Sequence, residues 1–420
     1  MGRRGKRMEE NTNKIAISSY LKLCVLIIGA AAFYQIPYLR WTFYDGMIEL
    51  SGLNNTQFGL TMTVYGTASA IMYFPGGIIA DKIPSKILFP LSLIVNGICG
   101  FLLMTGPGYR VQMIIYFALA AAGTLGFWAS LNKAVITLDG GDGSRLLGLL
   151  EGGRGLMQAV FSAIFLAIYG IVANAVGGVR IVLAGYAIIN IAAGAICFFI
   201  LGDDSRKGEK TEPLHMADII KLLKNPTIWL LTVVVIASYS FHLASTYMTP
   251  YLTNIIGAPA VVSGALAIVR NYIAQMCGAP FGSFLATKTK STMLTVGIGY
   301  IAMVIGIIGI VILPTNANMV IMVVFMIIAA VSIYIIRGIY FAIIGECGIP
   351  LKLTGTAVGI VSVIGFTPDI FMSVICGSLL DKYEGATGYR YIFLIMLGIA
   401  VIGLIASWVL YFTHKKARAE

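Results

Sequence analysis

Charge is what this 420-residue chain has least of. Asp, Glu, Lys and Arg make up 11% of it, hydrophobic residues 58%, and the mean hydropathy is +0.90. A soluble domain of this size needs far more charge to cover its surface. Histidine is also scarce. His215, His242 and His414 are scattered along the chain and make no metal-ligand cluster. The six cysteines (Cys24, Cys99, Cys197, Cys277, Cys347, Cys376) contain no CxxC pair and lie in or beside apolar segments, so they read as small core residues. No nucleophile motif and no Walker-type loop occurs, which argues against an enzyme, and no cofactor or metal is expected. The basic tails lack interleaved aromatics and a folded basic module, so a nucleic-acid partner is not expected. A cleaved signal peptide is not expected either: the first 20 residues are polar and basic, and the apolar segment after them is one of many.

Long apolar runs are what the chain has instead. Runs of about 20 residues recur along its length, each enough to cross a bilayer core of roughly 30 Å. The 48 glycines suit close helix packing in lipid. Twelve spans are expected, near 19–45, 57–80, 87–105, 111–137, 146–173, 180–201, 227–252, 260–286, 292–313, 318–345, 354–380 and 389–412. The one longer polar connection, 202–224, divides two six-helix units, residues 1–201 and 225–420.

These units echo each other. The segment Gly76-Gly77-Ile78-Ile79-Ala80-Asp81-Lys82-Ile83-Pro84-Ser85-Lys86 returns as Gly282-Ser283-Phe284-Leu285-Ala286-Thr287-Lys288-Thr289-Lys290, roughly 206 residues later. At nearly the same offset Asp139, Arg145, Gly148 and Gly152 match Glu346, Lys352, Gly355 and Gly359. The helix ends Gly170-Ile171-Val172-Ala173-Asn174 and Gly377-Ser378-Leu379-Leu380-Asp381 rhyme as well. Such duplication is the mark of secondary transporters.

Basic residues set the expected orientation. Of the 29 Lys and Arg, nineteen fall in the tails and loops on the side of both termini, and four (Arg110, Arg180, Lys382, Arg390) on the other. That bias predicts a multi-pass protein of the cell (inner) membrane with cytoplasmic termini. It also explains much of the net charge of +11. Six basic residues remain inside spans: Lys22, Arg40, Lys133, Arg154, Arg270 and Arg337. Lys22 is near a boundary and snorkels. The acids at depth are Glu151 and Asp369, with Asp45 near an outer end. Each charge at depth costs at least about 2.5–3.5 kcal/mol, so it needs a wet cavity or a partner. Glu151 and Arg154 stand three apart on one helical face and are expected to pair. Asp369 has Arg270 or Arg337 as possible partners. The surplus cations predict a small anionic substrate (carboxylate, sulfonate or phosphate ester), which the planar fork of Arg suits.

The repeated loop resembles the signature of the major facilitator superfamily, matched here by Gly77, Ala80, Asp81, Lys82 and Lys86; Pro84 and Ser85 depart from it. The resemblance implies an all-α membrane protein of twelve transmembrane helices in two pseudo-symmetric six-helix halves, working as a monomer in the lipid bilayer by alternating access. It assigns gating to Gly77, Asp81, Lys82, Asp139, Arg145, Glu346 and Lys352. It makes spans 1, 2, 4, 5, 7, 8, 10 and 11 the cavity lining, and the five deep cations fall on that set. The N-terminal half further resembles the organophosphate:phosphate antiporter branch. There Tyr34-Gln35-Ile36-Pro37-Tyr38-Leu39-Arg40 carries the phosphate-binding Arg, and Trp128 with Lys133 echoes a Trp and Arg on span 4. The branch's Arg on span 7 is missing, and His242 stands nearest to it. The expected substrate contacts are thus Arg40, Lys133, Arg154, Arg270, Arg337, Tyr34, Tyr38, Trp128 and His242, and the coupling candidates Asp369 and Glu151. A proton or a counter-anion is the expected co-substrate. A proton-coupled carrier of a neutral solute, or an exporter, is the alternative.

Overall fold

The computed structural model describes residues 17–138, 144–172, 174–202, 216–315 and 318–415. The described residues are helical, with no strand among them. Twelve helical elements follow one another among the described residues, and ten of them contain a stretch long and apolar enough to cross a membrane. The twelve are α1 (residues 17–51), α2 (Asn55–Lys82), α3 (Ser85–Met104), α4 (Tyr109–Leu138), α5 (Ser144–Ile171), α6 (Ala175–Ile200), α7 (Pro226–Asn254), α8 (Ala260–Thr289), α9 (Thr292–Ile312), α10 (Met319–Glu346), α11 (residues 351–382) and α12 (Ala386–Lys415). A short helix, Met216–Leu223, precedes α7; residues 203–215 of the expected linker lie outside the described residues.

Local chemistry sets the helix ends. Asn54 and Gln57 form a reciprocal capping box at the start of α2. Ser291, Asn318 and Asn225 cap α9, α10 and α7, and Pro226 takes the first helical position of α7. The first span runs further than its hydropathy suggests, to Ser51 instead of 45. Helix Ile17–Phe33 gives way to a 3₁₀ turn, Leu39–Trp41, and resumes as Tyr44–Ser51. The matching place in the other half breaks too: α7 carries a 3₁₀ turn at Ser245–Tyr247. Both breaks free backbone carbonyls inside the bundle, which buried donors must then satisfy. Two π-turns, Ala122–Phe127 in α4 and Val269–Ile273 in α8, left no trace in the hydropathy pattern.

The halves meet mainly through α2 with α11 and α5 with α8. Small residues bring these backbones together. A Cβ at Gly59 would come within 2.5 Å of the Ser373 carbonyl oxygen, and one at Gly66 within 2.7 Å of the Asp369 Cβ. Gly170 and Gly264 bed Val261 and Leu166 across the α5–α8 seam in the same way. Leucine at position 66 is therefore expected to force α2 off α11. Overpacking of this kind costs about 1–3 kcal/mol. Uptake into liposomes by Gly66→Leu should fall about tenfold at unchanged protein yield; wild-type uptake would contradict the close seam.

The seal is one-ended. Among the described residues, hydrogen bonds between the halves cluster toward one face: Asn55 and Thr56 to Asp381, Asn254 to Asp45, Thr249 and Arg270 to the Trp41 carbonyl, and Gln35 to Tyr272. Toward the opposite face the lining opens to solvent. Tyr73, near Tyr34 in the interior, is 63% exposed, and the Glu151 side chain is half exposed.

Candidate functional site

The centre of the molecule is a ring of aromatic side chains drawn from both halves. From the N-terminal half come Tyr34, Tyr38 and Trp41 of α1 and Tyr65 of α2. Tyr38 lies 6.2 Å from Tyr34, 4.4 Å from Trp41 and 5.5 Å from Tyr65 between ring centroids. From the C-terminal half come Tyr239 and His242 of α7 and Tyr334 of α10. The His242 ring sits edge-on to Trp41 at 5.2 Å and to Tyr334 at 5.8 Å, which joins the two sets. Tyr239 and His242 are one turn apart on a single helical face, and Tyr34 and Tyr38 flank the turn that the Tyr38 N–H closes onto the Tyr34 carbonyl at 3.3 Å.

The expected cations divide by their partners. Arg40 is 2% exposed, sealed in the packed end. Its guanidinium lies 3.7 Å from the Phe58 ring centroid and donates to the Phe58 carbonyl at 2.8 Å. Arg270 is 6% exposed and ties the two helix breaks together, donating to the carbonyls of Ser245 and, at 3.3 Å, Trp41. It thereby satisfies oxygens that the 3₁₀ turns set free. Lys133 donates to the Ala80 carbonyl at 2.9 Å, near the end of α2 and away from the aromatic ring. Arg154 pairs with Glu151 at 2.6 Å and lies 5.3 Å from the Trp128 ring centroid, on the wall toward the open face.

Arg337 is different. Its guanidinium stands 5.4 Å from the Tyr239 ring centroid and 5.8 Å from that of Tyr334, with the Tyr340 hydroxyl beside it. Among the described residues no carboxylate lies within ion-pair distance of it, and Asp369 is unpaired in the same sense. The two share Tyr239 instead. Its hydroxyl donates to Asp369 Oδ2 at 2.7 Å, while its ring faces Arg337. The other oxygen, Oδ1, is buried with no hydrogen-bond partner among the described residues. Asp369 also rests on Gly66, at the seam between the halves. Sequence reading picked Arg337 and Asp369 but not Tyr239 as their link. The one signal was an aromatic one helical turn before His242.

Beside the ring, the Gln35 amide lies against the Tyr272 hydroxyl, with Nε2 and Oε1 at 2.8 and 3.0 Å. This contact between α1 and α8 was not expected from the sequence. Of the expected gating residues, Glu346 accepts from Ser291 Oγ at 2.9 Å and from the Met293 amide at 3.1 Å, capping α9 within its own half. Lys82 is exposed at the end of α2. Asp139 lies outside the described residues, as do the side chains of Asp81, Arg145 and Lys352 and the surroundings of Gly77.

Arg40 separates a structural role from a binding one. Arg40→Met keeps the length but loses the Phe58 bond and the ring contact. It should lower stability by about 2 kcal/mol, seen as a lower melting point, yet leave any ligand-induced rise in melting point intact. Loss of the rise alone would show that Arg40 contacts substrate.

Twelve helices in two facing halves, sealed at one end around a central ring, define a membrane transporter fold. The sequence model of the Major Facilitator Superfamily matches residues 23–371, and the chain belongs to that superfamily. Among curated proteins it is similar to the inner membrane protein YihN of Escherichia coli K12, 30% identical over 406 residues that cover 94% of both chains. It is also similar to the inner membrane protein YqcE of the same organism, 27% identical over 410 residues and 96% of both. Among solved structures, the nucleoside transporter NupG superposes with a TM-score of 0.76 at 14% identity, covering 94% of this chain and 99% of NupG. A bacterial homologue of the human lysosomal transporter Spinster, inward-facing and unoccupied, gives 0.73 at 15% identity, covering 95% and 98%. At these identities the structures speak for the fold.

Proposed function

We propose that the chain carries a small organic anion (a carboxylate, sulfonate or phosphate ester) across the bacterial inner membrane by alternating access, coupled to a proton. The observation that carries this reading is Arg337, a guanidinium on the central ring with no carboxylate at ion-pair distance among the described residues. A bound anion supplies the missing charge, and the guanidinium offers two parallel donors to its oxygens. The rings of Tyr34, Tyr38, Trp128, Tyr239 and Tyr334 face its organic body, and His242 and the Arg154–Glu151 pair give further polar contacts. Asp369 is the proton carrier: a proton on its unpartnered oxygen removes a buried charge at the seam that must open and close. Glu151 is committed to Arg154 and is the weaker coupling candidate. Arg40, Arg270 and Lys133 hold the scaffold.

The termini are read as cytoplasmic, because Lys82, Lys288 and Lys290 gather at the open end. In that orientation the described state is sealed outside and open inward. The rocking units are residues 1–201 and 225–420, and one chain suffices as the carrier. Reconstitution in liposomes tests the reading. An imposed pH gradient should accumulate at least one of the three anion classes. Accumulation of neutral sugars alone, undisturbed by Arg337→Gln, would favour the aromatic ring as a sugar-stacking site and overturn the anion reading.

A further inference from the structure

We propose that Asp381 and the amino end of α2 form an outer latch that holds the sealed state, the counterpart at the opposite face of the motif ending in Asp81. Two sequence segments and one cluster of bonds point to it. The last residues of α11 read Gly377-Ser378-Leu379-Leu380-Asp381-Lys382, and those of α2 read Gly77-Ile78-Ile79-Ala80-Asp81-Lys82. The two helices run in opposite directions. The same Gly-x-x-x-Asp-Lys ending therefore stands at opposite faces, as inverted repeats within this fold would place it.

At the sealed face the ending is engaged. Asp381 Oδ1 accepts from the Asn55 amide at 3.0 Å and from its side-chain Nδ2 at 2.9 Å. Oδ2 accepts from the Thr56 amide at 2.7 Å and from Thr56 Oγ1 at 2.5 Å. These amides are the first two of α2, and the third, of Gln57, is taken by Asn54 Oδ1 at 2.8 Å. The free N–H groups that open any helix are thus filled at this end, two of them by a carboxylate from the other half. Gly377 makes the approach possible, since a Cβ there would overlap the Asn55 carbonyl oxygen. Tyr44 holds the Asn55 side chain from behind, donating to its Oδ1 at 2.8 Å. Opening the outer face must strip all four bonds at once. They are charge-assisted and arranged as a fork on each oxygen, which favours all-or-none release. The latch rests on the alternating-access reading but not on the substrate, and on Asp381 alone, because the Asp81 side chain lies outside the described residues.

Cys376, fully buried one residue before Gly377, reports on this seam. With the other five cysteines replaced by alanine, labelling of Cys376 by a membrane-impermeant maleimide measures outer opening in intact cells and needs no substrate. Asp381→Asn keeps the shape but turns an amide toward two donors. It should raise the labelling rate about tenfold, the loss expected for a few charge-assisted bonds at a partly exposed site. Gly59→Trp, a wedge in the same seam, provides the reference for an opened face. Fast labelling in both variants supports the latch. Fast labelling in Gly59→Trp with wild-type labelling in Asp381→Asn overturns it. If neither labels, the seam does not open by wedge or by release; the latch then falls together with alternating access at this seam, an outcome distinct from the second.

Discussion

Glutamine in place of Arg337 should abolish concentrative uptake of the anion. A bound anion at the centre of the bilayer loses most of its hydration, and the guanidinium between Tyr239 and Tyr334 is the group positioned to replace it. Removing one member of a desolvated charge pair typically costs about 2–5 kcal/mol, or roughly 30-fold to more than 1,000-fold in binding. Lysine at the same position keeps the charge but not the planar fork, so Arg337→Lys should retain a part of the activity, with weaker apparent affinity. Initial rates of uptake into liposomes over a range of substrate concentrations measure both. Wild-type rates in Arg337→Gln would remove Arg337 from the site. A loss in Arg337→Lys as complete as in Arg337→Gln would assign its role to geometry more than to charge.

Asp369→Asn should produce the second large effect, of a different kind. The amide preserves the bond with Tyr239 but cannot gain or lose a proton. A pH gradient should then no longer drive accumulation, while exchange of labelled for unlabelled substrate at equal pH continues within about threefold of wild type. Chemistry at the seam explains the split. Asp369 packs on Gly66, so its charge state is felt where α2 and α11 separate, and it reaches Arg337 only through Tyr239. Gradient-driven accumulation by Asp369→Asn would rule this residue out as the proton carrier. Loss of exchange as well would make it a substrate ligand or a structural group.

Much of the architecture was readable because lipid imposes a simple rule. A span must be apolar and about 20 residues long, so the helical segments could be drawn from hydropathy alone. The helix breaks were not readable in that way. Hydropathy carries the first span through residues 34–47 without a break, although Pro37, with no N–H to give the Phe33 carbonyl, marks one; the freed Trp41 carbonyl then finds its donors, Arg270 and Thr249, in the other half. The same holds for the cations. Sequence could say that five of them stood on cavity-lining spans, but not which way each faced. Arg154 turns to Glu151, the pairing its spacing predicts, whereas Arg40 and Arg270 turn to the carbonyls of Phe58, Ser245 and Trp41, which only folding brings near. Arg337 keeps its fork toward the central rings because its α10 face meets tyrosines instead of acids. Asp381 shows the limit from the other side. Its rhyme with Asn174 was visible along the chain, but its bonds span about 325 residues of sequence and required α2 and α11 to be set side by side.

The most direct test of the account is the melting point of the purified full-length protein in detergent, taken against small carboxylates, sulfonates, phosphate esters and neutral sugars. A ligand at 100 times its Kd adds about 2.7 kcal/mol to the folded state, a rise easily read by thermal unfolding. The account predicts that one anion class raises the melting point of wild type and of Arg40→Met, and leaves that of Arg337→Gln unchanged. A rise caused by neutral sugars only, equal in wild type and Arg337→Gln, would contradict it.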